Sequence, residues 1–178
     1  MQRKLKIMDA ATVMRSLARI THEIIEQGEG TEDTCILGVK NRGTALAEIL
    51  CENIYKFGGK TVPCGCIDVT PYRDDYSAEE KLSRASGSKI PCDISGKTVI
   101  IVDDVIYTGR TARAAIEAVF ALGRPKAVRL AALIDRGHRE IPVRPDFVGK
   151  NIPTSRRETV RVIMEDGENG GVYIISEN

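Results

Sequence analysis

The run Val99, Ile100, Ile101, Val102, Asp103, Asp104, Val105, Ile106, Tyr107, Thr108, Gly109, Arg110, Thr111 sets two adjacent carboxylates between a β-branched stretch and a short loop rich in hydroxyl and amide donors. An unbroken apolar stretch such as Val99 to Val102 suits a central parallel strand covered on both faces. Asp103 and Asp104 are expected at the carboxyl end of that strand. Beyond Thr111, the residues Ala112, Ala115, Ile116, Val119 and Phe120 recur with helical spacing. A helix N-terminus therefore follows the loop, and its unpaired N–H groups and partial positive charge suit a phosphate dianion. Gly109 permits close backbone approach. Carboxylates at the lip of the same crevice can accept hydrogen bonds from vicinal hydroxyls, so the whole pattern suits a ribose phosphate.

Other segments supply complementary chemistry. Lys40, Asn41, Arg42 and Gly43 follow the apolar segment Thr34 to Val39, placing two cations on a tight loop where a pyrophosphate would fit. The surrounding Gly38 to Thr44 half-matches a Walker A loop, but Thr44 stands where that pattern needs Lys. Tyr72, Arg73, Asp74 and Asp75 open a polar, irregular segment from about 71 to 95, which is expected to be a mobile loop.

The thirteen-residue run resembles the phosphoribosyl-pyrophosphate (PRPP) motif of type I phosphoribosyltransferases. Its YTGRT ending, with IDRGHRE from Ile134 and KNIPTSRRE from Lys150, is similar to the PyrR branch, pyrimidine-operon attenuators that are also uracil phosphoribosyltransferases. The resemblance spans essentially the whole chain. It implies an α/β type I phosphoribosyltransferase fold: a central, mainly parallel sheet flanked by helices, with a small hood and a flexible loop. It also implies Val99 to Thr111 as the PRPP site, Lys40 to Gly43 as the pyrophosphate loop and Tyr72 to Asp75 as a hood loop closing over the site. Asp103, Asp104, Arg42 and Arg73 become the catalytic positions. Mg²⁺ is the implied cofactor, held mainly by PRPP oxygens and water, with no protein ligand firmly assigned.

Base choice follows from departures within the resemblance. Purine-specific relatives carry an acid where this chain has Tyr107, a Lys where it has Asp135, and a metal-contacting Asp where it has Thr154. A carboxylate cannot donate to a purine carbonyl as a Lys does. Asp135, Phe147 and Val148 are the implied base-binding positions, and uracil the implied base. The PyrR resemblance adds leader mRNA as a partner, implicating Arg19, His22, His138, Arg139, Arg144 and Lys150, with UMP or UTP as effector. Ala18 stands where that branch tends to carry a hydroxyl, Gln27 where it carries a cation and Pro71 where it carries an apolar residue. A salvage uracil phosphoribosyltransferase without RNA function is the alternative, and a regulator lacking catalysis is a third reading.

The elements that must position these residues fit one domain. The 178 residues are 42% apolar and no Ser/Gly-rich linker divides them, so a single phosphoribosyltransferase domain over 1–178 is expected. No apolar run approaches the roughly 18 residues a membrane span needs, and no signal sequence opens the chain, so a cytoplasmic location is expected. A net charge of +1 gives no global attraction to nucleic acid. DNA and membrane are therefore not expected partners, whereas a local excess of Lys and Arg between Arg129 and Arg161 leaves room for RNA. Five cysteines, odd in number and mostly in apolar surroundings, suit reduced thiols. Asp9 is expected to cap a helix running to about Gln27, and Thr44 to Phe57 forms a second. Further strands are expected over 61–69, 126–134, 159–164 and 172–175. A homodimer or larger homo-oligomer completes the family expectation.

Overall fold

The computed structural model describes every residue except 1, 2, 31, 166–168, 177 and 178. Five strands form a parallel sheet in the order β3 (Cys64–Ile67), β2 (Thr34–Val39), β4 (Thr98–Ile106), β5 (Ala127–Asp135), β6 (Phe147–Asn151). Alternate side chains along β2 and β4 serve opposite cores. Ile36, Ile100 and Val102 pack under α1 (Ala10–Glu26) and α2 (Arg42–Gly58). Leu37, Val99 and Ile101 face the small residues Ala112, Ala115 and Ala118 of α4 (Arg110–Leu122) on the other side. The β-branched run Val99 to Val102 is buried throughout, as its sequence requires.

Asp9 caps α1 by accepting from the Thr12 N–H at 2.7 Å. The helix then buries Val13, Leu17, Ile20 and Ile24. A separate antiparallel sheet, β1 (Arg3–Asp9), β8 (Gly171–Ser176) and β7 (Glu158–Ile163), forms the hood.

The structure corrects four sequence expectations. The chain opens with strand β1 ahead of the first helix. Its alternation is hidden by lysines, half-exposed Leu5 and a register shift between Lys6 and Met8. Asp103 and Asp104 lie inside β4, which continues to Ile106, so the carboxylates are fixed by the sheet ladder instead of following it. The segment expected to be irregular, 71–95, contains α3 (Ala78–Arg84), closed by a capping box between Ser77 and Glu80. The third strand is only Cys64–Ile67, shorter than the expected 61–69. Among the described residues, no helix is long and apolar enough to cross a membrane.

Candidate active site

The carboxyl ends of β2, β4 and β5 deliver three loops to one edge of the parallel sheet, where α/β proteins form their ligand crevices. Gly43 lies directly against β4: a Cβ there would sit 2.4 Å from the Val102 carbonyl oxygen. The loop before it therefore abuts the two aspartates, and Arg42 Nη1 lies 3.3 Å from Asp104 Oδ2. Asn41 adopts φ 80° and ψ −108°, a conformation costly for any residue with a side chain. Such strain is common where a loop is shaped around a ligand. Burial, and next the neighbouring Asp104 carboxylate, push the Asp103 carboxyl well above the usual range. A cation arriving at this edge would favour its ionised form.

After β4 the chain turns through Tyr107 and Thr108 into α4, with Gly109 at the helix N-cap at φ 92°. Residues 105–112, with Arg73, Asp75 and Asp103, line a cavity of about 220 Å³. Amide donors at a helix N-terminus, threonine hydroxyls and Arg73 give it the chemistry that suits a phosphate group. The first hood residues dock onto the same helix. Arg110 pairs with Asp74 and with Glu140, while Arg113 Nη2 donates to the Tyr72 carbonyl at 2.8 Å. Arg73 pairs with Asp75 and lies 4.8 Å from the Tyr76 ring centroid. Hydrogen bonds from Arg110 and Arg73 hold Asp74 and Asp75, respectively, below the ordinary carboxylate range. The loop cations are thus neutralised internally in this state, and an incoming phosphate would compete with carboxylates for them.

Asp68, absent from the sequence expectations, anchors both ends of the hood segment. It accepts from the N–H groups of Thr70, Ser86 and Gly87, and its own N–H donates to Ser88 Oγ. Burial acts to raise this carboxyl and is the largest single influence on it. The hydrogen bonds of Thr70, Ser86 and Gly87 together outweigh burial and hold it at about 2. An Asp two residues before Thr-Pro is an Asx-turn signal that could have revealed it.

The β5 end carries a second cavity, about 470 Å³, lined by Asp135 to Arg139, Arg144 and Asn151 to Pro153. Asp135 pairs with Arg139 at 2.6 Å and accepts from the Gly137 N–H. Arg139 also donates to the Tyr107 and Val143 carbonyls, so its guanidinium is turned inward. Buried Arg136, another residue that the sequence did not single out, reaches Thr154 Oγ1 and the carbonyls of Ser155 and Glu158. Its guanidinium lies 4.0 Å from the Tyr107 ring centroid. Phe147 is a correction: its ring is wholly buried in the core beneath α1, where it cannot stack on a ligand in the crevice. Val148, next on β6, keeps partial exposure.

The residues implicated in RNA contact form separate groups. Arg19 pairs with Glu23 and donates to the Val148 and Gly149 carbonyls, which brings α1 beside the strand bearing exposed Lys150. His138, Arg139 and Arg144 border the β5 cavity, and the His138 ring is hydrogen-bonded to the Thr154 carbonyl. His22 lies farther along α1, stacked on Phe57.

A family model of the phosphoribosyl transferase domain matches residues 6–163. The bifunctional protein PyrR of Caldicellulosiruptor bescii is 48% identical over 177 residues, covering 99% of this chain and 97% of that protein. The chain belongs to the PyrR family of phosphoribosyltransferases. Another member, the bifunctional protein PyrR of Brevibacillus brevis, is 54% identical over 160 residues, covering 90% of this chain and 89% of its own. PyrR chains share their fold with purine enzymes. A hypoxanthine-guanine phosphoribosyltransferase from Bacillus anthracis superposes with a TM-score of 0.66 at 22% identity, over 84% of each chain. The hypoxanthine phosphoribosyltransferase of Trypanosoma cruzi, in complex with its product IMP, gives 0.66 at 20% identity over 84% and 77%. The type I phosphoribosyltransferase fold expected from the sequence is therefore present, and phosphoribosyltransferases of this kind generally use Mg²⁺ with PRPP.

Proposed function

We propose that this PyrR family member transfers the phosphoribosyl group of PRPP to uracil, giving UMP and pyrophosphate, and that it regulates a pyrimidine-operon mRNA by binding its leader when a uridine nucleotide is bound. The observation that carries the enzymatic part is the meeting of the Lys40–Gly43 loop, the Asp103–Asp104 pair and the Thr108–Thr111 turn at one sheet edge, with Arg42 3.3 Å from Asp104. Full-length likeness to proteins named bifunctional supports the second role.

In the reaction, uracil N1 bonds to the anomeric carbon and gives up its proton to solvent, while the bond to the pyrophosphate oxygen breaks and its electron pair leaves with pyrophosphate, so positive charge develops on the ribose ring. Catalysis is then positioning and charge stabilisation. The turn before α4 holds the 5′-phosphate, Asp103 and Asp104 accept from the ribose hydroxyls, and Asp104 is the carboxylate nearest the developing charge. Lys40 and Arg42 hold the leaving pyrophosphate. Tyr72 to Asp75 cover the reacting atoms and exclude water. Among the described residues, no group of three or more His, Cys, Asp or Glu can hold a metal by itself. Two adjacent carboxylates with hard oxygen donors nevertheless fit Mg²⁺ kept mainly by PRPP oxygens and water, which is its usual mode. When bound, Mg²⁺ neutralises part of the pyrophosphate charge.

Base selection rests on the β5 cavity. Tyr107, whose ring contacts the Arg136 guanidinium and meets the His138 ring in a T-shaped pair, offers no carboxylate to a purine ring nitrogen. Asp135, paired with Arg139, offers no cation to a purine carbonyl. For regulation, UMP or UTP must bind the RNA-competent state, in a dimer or larger oligomer, better than the other state. Two assays test the reading. UMP should form from uracil and PRPP, while hypoxanthine gives no IMP. A gel-shift titration with the organism's own pyrimidine-operon leader should tighten when UMP is added. Turnover without specific RNA binding would leave a salvage enzyme, and RNA binding without turnover would leave a regulator alone.

A further inference from the structure

Phe57 keeps 39% of its surface exposed at the end of α2. Its ring lies parallel to that of His22 on α1, with centroids 4.6 Å apart and planes at 12°. The pair is fixed where the helices touch, because Gly58 packs close to Ile25: a Cβ at residue 58 would lie 3.5 Å from Ile25 Cδ1. Neither ring is needed for the core, since α1 and α2 pack together through Leu17, Ile20, Ile24, Leu46, Leu50 and Ile54. The surroundings are polar. Arg15 and Arg19 precede His22 on the same exposed stripe of α1, which Glu26 ends, and Lys56 Nζ lies 5.8 Å from the Phe57 centroid.

We propose that Phe57 is an RNA-contacting residue, on whose ring an unpaired base of the leader stacks, extending the His22–Phe57 pair into the ligand. RNA is recognised largely through splayed bases in loops and bulges that stack on aromatic side chains beside cations. An exposed phenyl ring with Lys56 near it, stacked on a histidine whose helix face also carries Arg15 and Arg19, has both parts. An exposed ring at a protein interface would instead continue into an apolar patch, whereas the neighbours of Phe57 in sequence, Lys56, Gly58, Gly59 and Lys60, are cations and glycines. Exposed Tyr55 is the one other large ring in this turn.

The inference rests on the RNA-binding half of the proposed function, and its test separates the two. Full-length wild type, Phe57→Leu and Phe57→Tyr are titrated with UMP against the leader hairpin and against hairpins carrying one abasic nucleotide at each unpaired position. Thermal melting and hydrodynamic size of each variant are recorded alongside. Phe57→Leu keeps the apolar contact with His22 but lacks an aromatic face, so binding should weaken about tenfold while Phe57→Tyr stays within about twofold of wild type. One abasic position should cost wild type about tenfold and cost Phe57→Leu nothing further, the coupling expected of a direct stack. Equal affinity of Phe57→Leu and wild type overturns the stack and leaves the RNA reading standing. Absence of leader binding by wild type overturns both. Altered oligomer size in Phe57→Leu, with no abasic position coupled to it, overturns the proposal in favour of a contact between copies of the chain.

Discussion

Lys40 Nζ donates to both the carbonyl oxygen and the hydroxyl of Ser86, at 3.0 and 2.8 Å, tying the proposed pyrophosphate loop to the far end of the hood segment. In the proposed reaction, pyrophosphate and Ser86 would compete for one cation, and engaging the leaving group would release the Ser86 end of the hood loop. Lys40→Met should lower kcat/KM for PRPP by about two orders of magnitude, because a charge aimed at the leaving group is lost. Ser86→Ala should lower KM for PRPP by about threefold, the effect of removing one neutral competing hydrogen bond. Steady-state kinetics with varied PRPP measure both, and an unchanged KM in Ser86→Ala would refute the competition.

Asp68 gives the hood loop, rather than the hood sheet, a pH-dependent anchor. Its folded-state pKa of about 2 lies below the ordinary carboxylate value of 3.8, so as pH falls the unfolded chain takes up a proton first. The stabilisation, about 2 kcal/mol for a gap of this size, is complete above pH ~4 and disappears as pH falls towards 2. Urea unfolding should show Asp68→Asn less stable than wild type by about that amount at pH 7. The difference should shrink steadily below pH ~4. A difference independent of pH would mean that the carboxylate charge is not what anchors the segment.

In the proposed reaction, Asp104 is the carboxylate nearest the developing charge on the ribose ring. Asp104→Asn should lower kcat by about two to three orders of magnitude while changing KM for PRPP little, because the interaction is strongest in the transition state. Loss confined to KM would make Asp104 a ground-state binding residue only.

Arg136 holds the wall of the β5 cavity, the proposed base site, through three backbone or hydroxyl oxygens and the Tyr107 ring. Arg136→Met keeps the bulk but takes a buried donor from the Thr154 hydroxyl and from the Ser155 and Glu158 carbonyls, and should cost about 2 kcal/mol in chemical unfolding. KM for uracil should rise more than KM for PRPP, since the tie lies at the β5 cavity. Arg136→Lys, with a compact ammonium in place of a planar fork, should recover only part of either effect.

The sequence made the sheet centre legible because a strand covered on both faces must be apolar throughout, as Val99 to Val102 are. The cap at Asp9 and the loops at Lys40 and Thr108 were equally open to reading, since glycines, hydroxyls and caps mark chain turns. Strand β1 was hidden because a hood strand exposes one face and alternates lysine with Leu5. Helix α3 buries nothing and exposes Leu82, so it has no apolar periodicity, and only its Ser77–Glu80 capping box marked it. Arg136 was missed because a buried cation answered by carbonyl oxygens has no partner charge in the sequence. Phe147 was misread because a ring bordering a site and a ring beneath it have the same sequence signature.

The contact of Gly43 with the Val102 carbonyl has a consequence for the breaking bond. In the proposed reaction, the loop holding the departing group and the strand holding the sugar are separated by the thickness of one hydrogen atom. Even the methyl of alanine would act there as a wedge, driving the two ends of the scissile bond apart. The spacing across which the bond must stretch is therefore set by a side chain that does not exist.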